Sequence, residues 1–292
     1  MKLEIDADYI VYAAGFACQK TVHYVYPKEH DNHVFVAESK DELNIWLEEN
    51  GGEEEFTVVP ILKVEPIENC LHTVKQSLNG ILEATQTDQY NMYLTGGNQF
   101  RDKIATIKPY KGNRDPNHKP VYYRDIREYM VRQWGAVIME GIEADDALSI
   151  AQHKALAAGE QTVIVSIDKD LKQVPGLHYD FDKQVIHYCD PFGKLWENEK
   201  GKLDGEGIKW FYAQLIMGDA TDNIQGVPKK GPKAAYNALK DLGTEIDLYR
   251  AARKLYVEYY KDEAEADRCL LENARLLYLL KHEGDEWHPP ST

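Results

Sequence analysis

Short apolar runs of strand length alternate with longer segments of helical periodicity through residues 1–205. The predicted strands are 3–5, 56–64, 90–94, 136–139, 162–167, 178–181 and 185–189. The predicted helices are 9–18, 66–85, 121–134 and 143–158. Because strands and helices alternate, the pattern predicts an α/β fold with a mainly parallel sheet flanked by helices.

Residues 20–65 interrupt this alternation. The β-rich runs 22–26 and 34–36 predict a hairpin, and Ser39 opens a capping box that predicts a helix to Asn50. With the strand that follows, these elements form an insertion in the α/β pattern.

The chain is helical in pattern from residue 206 onward. Gly- and Pro-rich residues at 222–233 separate two helices, and further helices are predicted at 247–260 and 262–282. We therefore expect two domains, 1–205 with an insertion at about 20–65, and a helical region 206–292.

Composition places the chain among globular proteins with a sizeable core, since 43% of its 292 residues are hydrophobic and 28% are charged. Its apolar runs are shorter than the ~20 residues of a membrane span, and acids within Met1–Asp6 argue against a signal peptide. The four cysteines are scattered. We expect a cytoplasmic protein with reduced thiols and no membrane partner.

Asp and Glu number 49 against 34 Lys and Arg, so the net charge is −15. This balance argues against a protein that coats nucleic acid non-specifically. A nuclease stays open, because a metal site uses carboxylates and the basic residues can be concentrated elsewhere.

Acidic residues follow several predicted strands and helices. The candidate ligands are Asp6, Glu143, Asp145, Asp146, Asp168, Asp170, Asp219 and Asp222. Each group taken alone has an ordinary interpretation as a helix start, a turn or a cap. Loops from the carboxyl ends of parallel strands meet in one cleft, however, and clustered carboxylates repel one another unless cations are present. Oxygen ligands suit Mg²⁺ or Mn²⁺, and two such ions about 4 Å apart could hydrolyse a phosphodiester.

A basic segment runs from Arg101 to Arg132, with nine Lys and Arg against four acids. Arg124 and Arg127 lie in its helical part, and tyrosines are interleaved, which suits phosphate contact and base stacking. The alternative is a solvated helix face with core tyrosines.

A Gly- and Lys-rich turn precedes a predicted helix near residue 233. Its candidate nucleic-acid contacts are Gly226, Lys229, Lys230, Gly231 and Lys233. Exposed backbone N–H groups with nearby lysines form a phosphate-binding hairpin. The alternative is an ordinary helix connector.

Four motifs in order carry a family resemblance: Tyr110–Asp115, Gly141–Ala147, Ser166–Leu171 and Ile216–Pro228. With Asp6 at the first strand, they resemble the flap endonuclease and 5′-nuclease family. The resemblance is greatest to bacteriophage 5′–3′ exonucleases and the related 5′-nuclease domain of bacterial DNA polymerase I. It covers about residues 90–240.

The resemblance implies a PIN-like nuclease core and a helix–three-turn–helix motif at about 218–240. It also implies that the eight acids hold metal, that Lys111 and Arg114 polarise the scissile phosphate, and that Tyr110 stacks on a terminal base. The hairpin at 226–233 would hold duplex backbone, with K⁺ bound by its carbonyls.

The implied activity is metal-dependent cleavage of DNA at or near a 5′ end, nick or flap. RNA–DNA hybrids are a further substrate class, since relatives also remove RNA primers. The implied setting is phage replication or recombination in the host cytoplasm.

Three features depart from the family pattern. Thr95-Gly96-Gly97 stands where an aspartate usually follows the strand, unless Asp8 or Asp102 substitutes. The stretch from Arg114 to the next strand is short, which favours an open cleft over threading of a 5′ strand. Lys230 replaces a usually apolar hairpin residue.

Two other functions stay open, a structure-specific DNA-binding protein with weak or no catalysis and a PIN-type ribonuclease.

Overall fold

The computed structural model describes residues 1–29 and 31–291. Two compact units divide the chain. The larger unit contains Met1–Asp8, Ile81–His118 and the chain from Val131 onward, and the smaller contains Tyr9–Gly80 and Lys119–Met130.

Eleven strands form three sheets within the described residues. In chain order they are β1 (Lys2–Asp6), β2 (Gln19–Pro27), β3 (Phe35–Ala37), β4 (Phe56–Val64), β5 (Tyr90–Thr95), β6 (Val137–Met139), β7 (Thr162–Val165), β8 (Gly176–Asp180), β9 (Val185–Cys189), β10 (Leu195–Glu197) and β11 (Leu203–Gly205).

The α-helices pack on these sheets and on one another. They are α1 (Ala7–Ala17), α2 (Lys40–Glu49), α3 (Ile67–Thr85), α4 (Phe100–Ile104), α5 (Tyr123–Trp134), α6 (Ala144–Ala158), α7 (Gly207–Met217), α8 (Pro232–Leu239), α9 (Glu245–Tyr260) and α10 (Glu263–Leu277).

The main sheet belongs to the larger unit and has the order β6-β5-β1-β7-β8-β9. Its first five strands are parallel, and only β9 is antiparallel. The strands β1 and β7 are buried nearly throughout, as expected for a sheet covered on both faces. The prediction of a mainly parallel sheet flanked by helices is confirmed.

The insertion is the sheet β3-β2-β4 of the smaller unit, with α2 packed on one face. Ser39 caps α2 by accepting the amide N–H of Glu42 at 3.1 Å, as the capping box predicts. The rings of Phe35 and Trp46 stack at 5.0 Å between the sheet and α2. The predicted hairpin, helix and strand are therefore all present.

The C-terminal helices α7–α10 share one core in the larger unit, so both predicted domains contribute to that unit. The division at residue 205, between a PIN-like core and a helical DNA-binding region, remains a prediction. The sheet of β10 and β11 and the short helix α4 were not predicted. Helix α10 ends at Leu277 and not at 282, because the Arg101 guanidinium takes the carbonyls of Leu276 and Tyr278.

All four cysteines are buried and free of disulfides. None of the described helices combines the length and apolar character needed to cross a membrane.

Candidate functional site

The predicted acids gather at the edge of the main sheet where the parallel strands end. They are Asp6 at the end of β1, Glu143, Asp145 and Asp146 at the start of α6, Asp168 and Asp170 after β7, and Asp219 and Asp222 after α7. Parallel strands bring their carboxyl ends to one edge, which is why residues distant in sequence meet here.

One side of the cluster is neutralised by basic groups. The Lys111 ammonium contacts Glu143 and lies 3.8 Å from Asp222 Oδ2, and the Arg114 guanidinium contacts Asp222 Oδ1. Lys111 has a left-handed backbone (φ 53°), and its N–H donates to the Asp222 carbonyl at 2.9 Å. Burial opposes ionisation of Glu143, but the charges of Lys111 and Arg101 outweigh it and lower the Glu143 pKa.

Tyr110 joins two of these acids from the protein interior. It is 8% exposed and its ring belongs to the core of the C-terminal helices. Its hydroxyl oxygen lies 2.8 Å from Glu143 Oε2 and 2.9 Å from Asp222 Oδ2, and its single proton can serve one of them at a time. Burial, followed by the negative charge of Glu143, raises the Tyr110 pKa. The ring cannot stack on a base from this position, contrary to expectation, and Tyr110 instead links the two carboxylates.

Asp146 is committed to a buried ion pair. The Arg101 guanidinium holds both of its oxygens, with Nη2 at 2.9 Å from Oδ1, and the Glu143 N–H donates to Oδ2 at 3.1 Å. Asp146 and Arg101 are 0% and 1% exposed. Because both oxygens are engaged, we leave Asp146 out of the proposed ligand set and assign it a positioning role. We call Glu143, Asp146 and Asp222 the paired carboxylates.

A second lysine lies among the acids on the other side. The Lys169 ammonium contacts Asp219 and lies 3.8 Å from Asp170 Oδ1. Asp219 also accepts the Thr221 N–H at 2.7 Å. Burial opposes ionisation of Lys169, but the neighbouring carboxylates, Asp170 first, raise its pKa.

We call Asp145, Asp168 and Asp170 the repelling carboxylates. Burial raises the pKa of all three, that of Asp170 to about 8, and the charge of Asp168 adds to the shift in the other two. The Asp145 carboxylate makes no hydrogen bond or ion pair within the described residues. Water reaches these acids, since Asp168 is exposed and Asp145 half-buried.

The end of β5 has no room for the missing acid. A Cβ on Gly96 would lie 2.5 Å from the last carbonyl oxygen of β6. Asp8 reaches this place instead, because its Oδ2 accepts the Thr95 N–H at 2.8 Å while its N–H donates to Asp6 Oδ1 at 3.1 Å. Asp102, the other candidate substitute, is exposed on α4.

The donor set fits hard divalent cations. Asp6, Glu143, the repelling carboxylates, Asp219 and Asp222 supply only oxygens, which Mg²⁺ and Mn²⁺ prefer. Seven carboxylates against Lys111, Arg114 and Lys169 leave a formal charge of −4, which two divalent ions would balance. Within residues 1–29 and 31–291, no three acidic, His or Cys side chains form a ready-made metal site. Two lysine ammonium groups lie against the carboxylates instead.

The loop between α7 and α8 is a tight hairpin built on two glycines. Gly218 (φ 75°) ends α7, and a Cβ on Gly226 (φ 61°) would lie 2.3 Å from the Gly218 nitrogen. The Val227 N–H donates to the Ile216 carbonyl at 2.8 Å, and Val227 is in the core. The two glycine backbones therefore pack directly on each other, and only glycine fits.

The tip of this hairpin faces solvent. Lys229 (φ 65°), Gly231 and Lys233 are exposed, and Lys230 is half-buried. Gly231 is the N-cap of α8 and has open space around it, so its backbone is accessible. The hairpin and the carboxylates lie in the same unit, whereas Arg124 and Arg127 belong to the smaller unit. There the Arg127 guanidinium lies 5.4 Å from the centre of the Tyr123 ring.

Arg101 and Lys169 are the two site residues that sequence reasoning missed. In the sequence, Arg101 is one of nine basic residues of its segment, and Lys169 is an internal residue of the motif Ser166–Leu171. An apolar residue before Arg101 and acids on both sides of Lys169 were the available signals.

The fold is the one found in a zinc-bound structure of T5 5′-exonuclease, with a TM-score of 0.54 at 18% identity over 71% of this chain and 80% of that chain. The structure of a variant of the bacteriophage T5 flap endonuclease with DNA and metal ions gives a TM-score of 0.51 at 18% identity, over 70% of this chain and 80% of that chain. At this identity the likeness establishes the fold alone.

Sequence relatives add homology to the shared fold. Flap endonuclease Xni of Shewanella piezotolerans is 28% identical over 186 residues, 63% of this chain and 70% of the relative. The 5′-3′ exonuclease of Buchnera aphidicola subsp. Acyrthosiphon pisum is 30% identical over 161 residues, 53% of this chain and 54% of the relative. No protein-family profile matches the chain.

DNA polymerase I of Bacillus caldotenax is 28% identical over 209 residues, 68% of this chain. The match spans 23% of the polymerase, so the chain corresponds to a part of that larger protein. Together these relatives confirm the resemblance to the flap endonuclease and 5′-nuclease family.

Proposed function

We propose that this protein is a divalent-metal-dependent 5′-nuclease that hydrolyses DNA phosphodiesters, as a 5′–3′ exonuclease, a flap endonuclease or both. The observation that carries the proposal is that the repelling carboxylates share one acid cluster with Glu143 and Asp222, which hold the cationic groups of Lys111 and Arg114. The excess negative charge of the carboxylates suits the binding of metal ions, and the fixed Lys111 and Arg114 side chains suit the binding of a phosphate.

The proposed metal ligands are Asp6, Glu143, Asp145, Asp168, Asp170, Asp219 and Asp222. Bound divalent ions would activate water and stabilise the leaving oxygen of the phosphodiester. We infer Mg²⁺ or Mn²⁺, in two positions, from the charge and the oxygen donors.

Lys111 and Arg114 would bind the non-bridging oxygens of the scissile phosphate. Their cationic groups are held by Glu143 and Asp222, so little reorganisation is needed when negative charge develops. Tyr110 keeps the two carboxylates at a fixed separation, and Arg101 holds the start of α6 through Asp146.

The hairpin would hold the duplex portion of the substrate. Exposed Lys229 and Lys233 and the accessible backbone at Gly231 suit phosphate oxygens, and Lys230 and Gly226 complete the turn. We further propose K⁺ binding by the hairpin carbonyls. The substrates would be duplex DNA with a 5′ end, nick or flap, with RNA–DNA hybrids as a second class, and Arg124 and Arg127 would be additional phosphate contacts.

The decisive experiment is cleavage of 5′-labelled blunt and flapped duplexes with Mg²⁺, with Mn²⁺ and with EDTA. Asp168→Ala should lower the rate by at least about a hundredfold, because a metal ligand is removed. Asp182→Ala, which removes an exposed acid from the turn after β8, should cleave like the wild type. Metal-independent cleavage, or equal loss in both variants, would refute the proposal.

The crowded end of β5 favours a second candidate, a structure-specific DNA-binding protein with weak or no catalysis. Gly96 leaves no space for an acid there. Tight binding of flapped DNA without cleavage in either metal would establish this alternative.

The hairpin separates DNA duplex recognition from a PIN-type ribonuclease that acts on single strands. Lys229→Ala, Lys230→Ala and Lys233→Ala should each weaken duplex binding and lower its salt dependence by about one unit of slope. Lys254→Ala, on the exposed side of α9, is the matched control. Equal effects on single-strand and duplex cleavage would show that the hairpin does not hold duplex.

A further inference from the structure

Lys169 lies between two acids that are both proposed to hold metal. Its ammonium contacts Asp219 and lies 3.8 Å from Asp170 Oδ1. The Asp219 side chain is 1% exposed, and within the described residues Lys169 is its only cationic contact. A buried carboxylate without a cation is costly, so the ammonium fills an electrostatic need at this point.

The backbone of Lys169 is anchored while its side chain can leave. The Lys169 carbonyl accepts the indole N–H of buried Trp210 at 2.9 Å and the amide N–H of Lys172 at 3.3 Å. The Lys169 side chain is 43% exposed, so its ammonium can reach water. The Lys169 ammonium therefore lies between the two acids, but its side chain can move out into solvent while the backbone stays in place.

We propose that Lys169 is a resident cation that competes with one divalent ion for Asp219 and Asp170. The inference rests on the proposed function and adds to it an order of metal binding. In the part of the chain that the structure describes, an ion near Asp145 and Asp168 meets no ammonium contact with either carboxylate, whereas an ion near Asp219 must displace one. The first ion therefore binds more tightly than the second, and Lys169 sets the difference.

Removal of the lysine charge tests this inference through metal binding itself. Mn²⁺ binding to the 292-residue protein would be measured by electron paramagnetic resonance of free Mn²⁺, for the wild type, Lys169→Met and Lys169→Arg. Lys169→Met should bind its weaker ion about tenfold more tightly, because a unit charge about 4 Å away is gone. Lys169→Arg keeps the charge and should bind like the wild type.

Lys172→Met is the matched control. Lys172 lies three residues further on and pairs with Asp204 at 2.7 Å, outside the acid cluster. This variant loses the same charge and should leave Mn²⁺ binding unchanged. Circular dichroism of all four proteins shows whether each is folded.

An affinity in Lys169→Met equal to or weaker than that of the wild type would overturn the inference, as would equal tightening in Lys172→Met. If Lys169→Met does not fold, Lys169→Gln would replace it. Tighter Mn²⁺ binding by Lys169→Arg would then overturn the inference. Tighter binding by Lys169→Gln, with wild-type affinity in Lys169→Arg, would support the inference. Cleavage by the wild type with no change of Mn²⁺ affinity in Lys169→Met would reject this inference alone. Tighter binding without cleavage by any protein would reject the proposed function alone.

Discussion

The paired carboxylates and the repelling carboxylates lie in one cluster, yet they meet opposite electrostatic environments. Glu143, Asp146 and Asp222 each contact a Lys or Arg, and in Glu143 the net effect is a lowered pKa. Asp145 has no such contact among the described residues, and burial raises its pKa. The difference indicates that the paired acids hold the site in shape, while Asp145 and Asp168, which form no ion pair within the described residues, leave a place where positive charge is missing.

The largest expected effect concerns the buried ion pair between Arg101 and Asp146. Arg101→Met should lower the free energy of unfolding by about 3–5 kcal/mol, because Asp146 would be left buried and unpaired. Urea unfolding measures this, with Arg268→Met as the control, since Arg268 is half-exposed and pairs at the surface with Glu265. A loss below about 1 kcal/mol would mean that the pair is not a structural element.

Divalent metal should stabilise the protein through the repelling carboxylates. At about a hundred times its Kd, Mg²⁺ should raise the free energy of unfolding by about 2.7 kcal/mol. The gain should shrink in Asp168→Asn, and Na⁺ at the same ionic strength should not reproduce it. An equal gain in the variant would place the metal elsewhere.

The next largest effect on stability concerns the lack of space for a side chain at Gly96, after the end of β5. Gly96→Ala should cost about 2 kcal/mol, because its Cβ would press on the carbonyl of Met139. Gly243→Ala is the control, since nothing lies near a Cβ at that position. Equal stability of the two variants, compared by thermal unfolding, would show that β5 and β6 can separate to admit a side chain.

The smallest effect compares the two kinds of acid directly in metal-free protein. Glu143→Gln should lower the free energy of unfolding by about 1–2 kcal/mol, because the charged hydrogen bond from Lys111 is lost. Asp145→Asn should leave it unchanged or raise it by about 0.5 kcal/mol, because repulsion is relieved. Changes of the same sign in both variants would contradict the division of the cluster.

The sequence was sufficient to predict which acids meet, because position after a parallel strand determines where a side chain lies. Asp6, Asp168 and the acids of α6 reach one edge for that reason alone. Residue type and local spacing do not reveal partners, however. Asp146 and Asp145 are neighbours in the same motif, and only the fold places Arg101, 45 residues away, against one and not the other.

Tyr110 and Lys169 show the same limit. A tyrosine beside a lysine fits base stacking as well as burial, and only the packing of the C-terminal helices puts its ring in the core. Lys169 counts as a positive charge in any sequence sum, but its contact with Asp219 depends on where α7 ends.

The close packing of Gly218 on Gly226 has a consequence for where a strand is cut. Asp219 follows the first glycine directly, and exposed Lys229 follows the second within the same short loop. If the hairpin holds the duplex, the length of this loop determines the distance between the bound duplex and the scissile bond. The number of nucleotides released would then be fixed by two touching backbones, and lengthening this loop by one residue should shift the product length.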